Sequence, residues 1–211
     1  MIGLLTAILT TFRQLFVDKR WPYKLGGLLV LGCIPGLNVL AWVGYQQSMA
    51  VNIAQRRPVL LPTWDDWADI LVRGLLAVMA SGVYWLPGLL LWLFSLLPGL
   101  RIVILPALIG AALCMFALSV SHVRYARTDQ PSRYTWPDWR QSLRNGVAAK
   151  GSAAIGLYAI SFIGQSVVFG LALLLTPLAL VTVVGPMLIW SAVSVINGCL
   201  IGQTAARTVR A

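Results

Sequence analysis

The amino-acid sequence predicts an all-helical integral membrane protein that forms a single membrane domain over residues 1–211. Three observations support this fold class: 59% of the residues are hydrophobic, only 10% are charged, and the mean hydropathy is +0.82. A soluble domain carries about 25% charged residues, so this chain has too little charge to cover a water-facing surface. Several apolar stretches exceed about 18 residues, the length of a membrane span, and they lack the alternation of a barrel strand.

The N-terminal part contains two apolar elements of different kinds. Residues 1–20 are predicted to form an amphipathic helix in the membrane interface, and Trp21-Pro22-Tyr23 ends it with aromatic anchors at headgroup depth. Residues 25–51 are apolar but are interrupted by Ile34-Pro35-Gly36. The arm before this break has about ten residues, which reach only half of the roughly 30 Å hydrocarbon core. The segment therefore forms either a re-entrant hairpin that dips in and returns, or one bent span.

Two longer apolar regions follow, and each is long enough for a helical hairpin. The hairpins are predicted at residues 70–121 and 147–203, with polar connectors at 52–69 and 122–144. The favoured fold has four full transmembrane helices in these two hairpins, together with the interfacial helix and the re-entrant hairpin. The alternative has five transmembrane helices.

Both connectors carry the pattern T-W-x-D-W-x3-L-x2-G, which recurs at an offset of 72 residues and indicates an internal repeat. Three prolines, Pro35, Pro106 and Pro177, also recur at steps of 71. We interpret the motif tryptophans as membrane-interface anchors and its aspartates as caps of the helices that follow, in preference to a binding site. The residues of this interface motif are Trp64, Asp66, Trp67, Trp136, Asp138 and Trp139.

The charge distribution predicts the orientation in the membrane. The chain has 16 basic and 6 acidic residues, a net charge of +10. If residues 25–51 form a hairpin, 15 basic residues lie on the side of the connectors and 1 lies opposite, whereas a single span divides them 11 to 5. The positive-inside rule then places both connectors and the C-terminus in the cytoplasm of a bacterial inner membrane. No polar domain exists to present this charge to nucleic acid.

The sequence contains few side chains that could act in catalysis or bind a metal. The three cysteines are far apart and the single histidine is His122, so no Cys/His zinc site is predicted. His122 is the candidate for ligating a chlorin or haem, although a histidine at a span end is expected to face lipid headgroups. Asn38, Gln165 and Asn197 are the deepest amides and are expected to form interhelical hydrogen bonds. No catalytic residue, metal or cofactor is predicted, and contact with pigment or lipid is left open.

The segment Leu60-Leu61-Pro62-Thr63-Trp64-Asp65-Asp66-Trp67 resembles a prokaryotic family of uncharacterised multi-pass membrane proteins. The N-terminal half is similar as well, through Phe16-x-Asp18-x-x-Trp21, Lys24-Leu25-Gly26-Gly27, Ile34-Pro35 and Gly44-Tyr45, and Tyr84-x-Leu86-Pro87 adds to the likeness. The resemblance covers roughly residues 12 to 100. Thr63 departs from it, since glutamate is expected there. The resemblance implies membrane location and a helical fold, and it assigns no activity.

The favoured function is a non-catalytic accessory or scaffolding subunit of a larger bacterial membrane complex, respiratory or photosynthetic, with membrane lipids and other membrane subunits as partners. Scarce catalytic groups, many tryptophans and runs of small residues favour it. A small-molecule or lipid permease built on the repeat is the first alternative. A lipid-acting interfacial enzyme with Asp66 and Asp138 as acid and base is the second.

Overall fold

A computed structural model of the protein describes residues 18–95, 104–134, 152–179 and 184–208, together with positions 6, 9, 10 and 13. Within these ranges the chain is helical and has no β strand, which confirms the predicted all-helical class. The α helices are α1 (Trp21–Gly32), α2 (Leu37–Ala54), α3 (Trp67–Ser95), α4 (Ile104–Thr128), α5 (Ser152–Ala179) and α6 (Val184–Thr208). Short 3₁₀ helices cover Trp64–Asp66 and Pro131–Tyr134.

Three helical segments are long and apolar enough, by length and composition, to cross a membrane. They are Trp64–Tyr84, Gly156–Thr176 and Gly185–Thr208, of 21, 21 and 24 residues. At about 1.5 Å per residue, each of these segments covers the roughly 30 Å hydrocarbon core. Of the predicted interfacial helix at 1–20, the four described positions between 6 and 13 are helical and exposed.

Helices α1 and α2 lie side by side and run in opposite directions. Proline in the first turn suits the start of α1, and Gly36, whose φ is +84°, provides the left-handed backbone of the turn between them. Near the start of α1, the Lys24 ammonium donates to the Leu61 carbonyl oxygen at 3.1 Å. Near the end of α2, the Asn52 amide donates to the Leu60 carbonyl oxygen at 3.2 Å. The start of α1 and the end of α2 therefore meet at the same end of the bundle.

Helix α2 is the centre of the bundle and packs against α1, α3, α4 and α6. Its crossing with α3 has the two backbones in contact at Gly44 and Gly74. A Cβ atom on Gly44 would lie 2.8 Å from the carbonyl carbon of Ile70, and one on Gly74 would lie 2.8 Å from that of Leu40. Such close approach requires glycine at both positions, as in small-residue contacts between membrane helices.

The contact between α2 and α6 uses the same principle. Gly198 and Gly202, one turn apart on α6, face α2, and a Cβ atom on Gly202 would lie 2.9 Å from the carbonyl oxygen of Ala50. The indole rings of Trp42 and Trp190 stack with centroids 6.0 Å apart. Leu28, Tyr45 and Met49, all fully buried, belong to the core cluster that fills the space beside this contact. Glycines that look dispensable in an apolar sequence therefore set the helix spacing.

The charged side chains collect at one end of the bundle, which we call the basic end after its arginines. Every acidic side chain that the structure describes also lies there, at positions 18, 65, 66, 69 and 129. This end contains the start of α1, the end of α2, the start of α3 and the end of α4, and it also carries the exposed arginines Arg56, Arg57 and Arg127. At the other end, the described residues 33–36, 84–95, 104–114, 175–179 and 184–192 include no charged residue. Charge is therefore segregated along the bundle axis.

Two details differ from the sequence-based expectations. The sequence predicted that the first hairpin ends near residue 121, but α4 continues to Thr128. It continues because Val123, Tyr125 and Ala126 pack into the core. The three prolines do not occupy equivalent positions. Pro106 lies in the first turn of α4, Pro35 lies in the turn before α2, and Pro177 lies near the end of α5.

Candidate functional site

An ion-pair network joins three segments at the basic end. The Arg73 guanidinium of α3 pairs with the Asp129 carboxylate after α4 through Nη1 and Oδ1, and through Nη2 and Oδ2 at 3.2 Å. Its Nε donates to Asp69 at 2.6 Å, and its Nη1 donates to the Tyr125 hydroxyl at 3.0 Å. Arg57, after α2, adds a longer contact of 3.7 Å to Asp129. Asp129 thereby connects the ends of α2 and α4 to the start of α3.

The structure holds the Arg73 guanidinium inside the bundle rather than extended toward the surface. The Arg73 side chain is only 15% exposed and is held by two carboxylates. Pairing on both sides explains how a guanidinium is tolerated nearly two turns inside an apolar helix. The signal available in the sequence was the charge itself, but its partner Asp129 is 56 residues away, and no local pattern relates the two.

A second ion pair fixes the start of α1. The buried Lys24 ammonium donates to the Asp18 carboxylate at 2.6 Å, and the Asp18 side chain is 26% exposed. The pKa of Asp18 is lowered from its ordinary value, first by this hydrogen bond from Lys24 and then by the backbone N–H of Arg20. Since Lys24 also reaches the Leu61 carbonyl oxygen, it fastens α1 to the connector.

Trp64 of the interface motif packs inward. Its Nε1 donates to the Lys24 carbonyl oxygen at 2.6 Å, and its ring stacks on Tyr45 with centroids 5.5 Å apart. Gly27 leaves the space for the indole, because a Cβ atom there would lie 2.6 Å from Cδ1 of Trp64. Trp64 therefore joins α1, α2 and the connector.

The other described motif residues point outward. Trp67 is 57% exposed, and Asp66 is exposed and makes no capping hydrogen bond within the described chain. Carboxylates in this first turn still favour the positive end of the α3 dipole. Trp136, Asp138 and Trp139 lie outside the described residues, so the structure does not bring the two copies of the motif together or separate them.

A cavity of about 400 Å³ opens between the end of α2, the connector and the start of α3. Its polar lining consists of Ser48, Asn52, Arg57, Thr63, Asp66, Asp69 and Arg73. Ser48 is only 8% exposed, and its hydroxyl has no hydrogen-bond partner among the described residues. The arginines here are already engaged by Asp69, Asp129 and Gln55. The cavity is suited to binding a small polar group, with Ser48, Thr63 and Asp66 as the side chains left to contact it.

The structure places the histidine and the three amides in environments that match the sequence-based expectations only for Gln165. His122 is 7% exposed and buried within the bundle, so the expectation that it faces lipid headgroups was wrong. Over the described residues, no group of three potential metal ligands is assembled. Gln165 donates to Ser119 of α4 at 2.8 Å, the interhelical bond that was expected. Asn38 instead accepts from the backbone N–H of Val39, and Oδ1 of buried Asn197 has no partner in the described part.

Comparison with protein families identifies a match over the first half of the bundle. Residues 27–130, just under half of the chain, match the family described as "Protein of unknown function (DUF4013)". This fits the uncharacterised family that the sequence resembles. The matched segment runs from α1 to the residue after Asp129, so it contains Trp64, Arg73 and the cavity. No curated protein and no solved structure matches the chain.

Proposed function

We propose that this protein is a non-catalytic accessory or scaffolding subunit of a larger bacterial membrane complex. The observation that carries the proposal is an outward-facing small-residue surface on α5. Gly164 faces inward against Leu200, whereas Ser166 and Gly170 are exposed, and a Cβ atom on Gly170 would meet nothing within 4 Å. Ser166 lies halfway along the helix, so its hydroxyl is at the depth where lipid offers no hydrogen-bond partner.

Small residues already mediate close helix contacts within this bundle. Where α2 meets α3 and α6, glycines bring backbones together, and the resulting crossings organise the core. Lipid tails are as apolar as leucine, so helices associate in a membrane through close packing and hydrogen bonds rather than through hydrophobic exclusion. Ser166 and Gly170, four residues apart, offer both to a transmembrane helix of a partner subunit.

The experiment uses photo-crosslinking in native membranes. A photoreactive residue replaces Val167, which is 54% exposed beside this surface, and in a control it replaces Val83, which is 66% exposed on α3. We expect a discrete protein adduct of one mass at Val167 and mainly lipid adducts at Val83. Gly170→Leu should abolish the adduct, and Gly82→Leu, a matched change at an open glycine of α3, should leave it. A chain extracted gently without any stoichiometric partner contradicts the proposal.

We also propose the membrane arrangement: four full spans, formed by α3 to α6, and a re-entrant hairpin formed by α1 and α2, with the basic end in the cytoplasm. The 12 residues of α1 cover about 18 Å, too short for a roughly 30 Å core. The hydrogen bond between Lys24 and Leu61 supports the hairpin, since it holds the first turn of α1 beside the connector. The positive-inside rule supports the orientation.

Cysteine labelling tests this arrangement. In a cysteine-free background, Lys19→Cys and Arg56→Cys should react with a membrane-impermeant reagent from the same, cytoplasmic side, because both residues are exposed at the basic end. A single bent span would place them on opposite sides. Labelling of Lys19→Cys from the periplasm alone would therefore contradict the hairpin.

A permease is a second candidate, favoured by one observation. Gln47 of α2 is fully buried, and neither its amide nitrogen nor its amide oxygen has a hydrogen-bond partner among the described residues. Thr204 on α6 is also fully buried, and its Oγ1 has no hydrogen-bond partner among them. Unpaired buried amides are costly, and a hydrated path would satisfy them. The two described cavities are not lined by Gln47, Asn38, Gln165 or Asn197. Labelling of Gln47→Cys by small water-soluble thiol reagents in intact membranes would support a permease, and complete protection would oppose it.

A further inference from the structure

An apolar groove of about 410 Å³ lies between α1 and α6, separate from the polar cavity. One wall is formed by Trp21, Leu25 and Leu29 of α1, and the other by Leu188, Ala192 and Ile196 of α6. Gly26 leaves the wall open, since a Cβ atom there would meet nothing within 4 Å. Ser191 contributes a hydroxyl to the lining, and this hydroxyl is buried without a partner in the described chain.

The groove has a definite direction. Gly32 at the end of α1 approaches Met187 at the start of α6, so the two helices are antiparallel and Trp21 lies beside the later residues of α6. From Trp21 to Leu29 the groove extends about 12 Å along α1. It therefore begins at the basic end and runs toward the uncharged end, in the direction of an acyl chain of the adjacent leaflet.

The mouth of the groove is positively charged. Lys19 and Arg20, which immediately precede Trp21, are both exposed and form no ion pair within the described residues. The nearby Asp18 does not neutralise them, because its carboxylate is held by the Lys24 ammonium. Two exposed cations above an apolar groove complement a negatively charged headgroup above an acyl chain.

We propose that this groove binds one anionic phospholipid, with an acyl chain between α1 and α6 and the phosphate beside Lys19 and Arg20. The proposal does not depend on the accessory function, because it concerns a different face of the bundle from Ser166 and Gly170. The lipid would fill the space beside the short helix α1, which contacts the rest of the bundle through Lys24, Leu28 and Gly32.

The test is native mass spectrometry of the delipidated full chain, titrated in detergent with dioleoyl-phosphatidylglycerol or dioleoyl-phosphatidylcholine. We expect one phosphatidylglycerol per chain, bound about 30-fold more tightly than phosphatidylcholine, as two interfacial cations predict. Lys19→Gln/Arg20→Gln should remove this preference. The matched control Arg56→Gln/Arg127→Gln, at two exposed cations elsewhere on the basic end, should keep it.

Groove-filling variants test the acyl-chain site. Gly26→Leu should abolish retention of both lipids, and Gly82→Leu on α3 should have no effect, because both glycines are open but only Gly26 lines the groove. Ala192→Leu, an exposed position on the opposite wall, serves if Gly26→Leu fails to fold. Equal affinity for the two lipids, or undiminished binding in the groove-filling variants, overturns the proposal.

Discussion

Replacing Gly44 by alanine tests whether backbone contact between α2 and α3 holds the bundle together. The added Cβ atom would lie 2.8 Å from the carbonyl carbon of Ile70 and 3.0 Å from the amide nitrogen of Gly74, with the Ile70 carbonyl oxygen closer still. All of these atoms belong to the backbone of α3, so no flexible side chain can move aside. The two helices must separate or slide.

The size of the effect follows from these distances. Carbon atoms pack best at about 3.5–4.0 Å, so relief of the clash requires about 1 Å of separation along the whole crossing. Overpacking of this kind costs about 1–3 kcal/mol, and a backbone clash belongs at the upper end of that range. We therefore expect Gly44→Ala to lower the free energy of unfolding by about 2–3 kcal/mol.

A double-mutant cycle makes the prediction specific. Gly74→Ala faces the Leu40 carbonyl group across the same crossing, so one separation of the helices relieves both clashes. The double variant should cost less than the sum of the single variants, with a coupling energy of about 1 kcal/mol or more. The measurement is reversible unfolding in mixed micelles with increasing dodecyl sulfate.

Gly82→Ala is the matched control, because a Cβ atom there meets nothing within 4 Å. It should change stability by no more than about 0.5 kcal/mol. If Gly44→Ala is as stable as Gly82→Ala, or if the costs at Gly44 and Gly74 simply add, the reasoning from backbone contact is refuted.

Three further predictions concern the basic end. Gly27→Ala should lower the free energy of unfolding by about 1–3 kcal/mol by displacing the Trp64 indole, whereas Gly26→Ala, which meets nothing, should be nearly neutral in the same assay. Asp129→Asn should lower the free energy of unfolding by about 1.5–3 kcal/mol, because Arg73 loses its charged partner while asparagine tolerates the left-handed backbone at this position (φ +55°). The exposed Asp69→Asn should lower it by less than about 1 kcal/mol. Equal losses in the two variants would contradict this prediction. Because the pKa of Asp18 is lowered in the folded protein, its contribution is present above its unfolded pKa and disappears as the pH falls through the lowered value. Denaturation at several pH values should therefore show Asp18→Asn less stable than the wild type near pH 6 and the difference vanishing in strong acid; a constant difference would exclude the ion pair as its cause.

Much of the basic end could not have been predicted, for identifiable reasons. The Trp64-Asp65-Asp66-Trp67 motif was recognisable, but its tryptophans look alike in sequence, and only one of them faces inward, onto Lys24 and Tyr45. Arg73 was visible as a charge within an apolar helix, yet its partner Asp129 belongs to a segment that meets it only after α3 and α4 have packed. The burial of His122 likewise depends on how far α4 continues, and that is decided by the residues it packs against.

The sequence by itself determined that this protein is helical and suited to a membrane, because long apolar stretches without the alternation of barrel strands satisfy their backbone in lipid as helices. It also indicated where the α1–α2 segment breaks, since proline disfavours the helix interior and Gly36 readily adopts the left-handed backbone of the turn. Only the tertiary structure decided which glycines touch another backbone, which tryptophan locks α1 to the connector, and which carboxylate holds Arg73. Those choices depend on distances between residues that are 26 to 152 positions apart, and local periodicity carries no information about such distances.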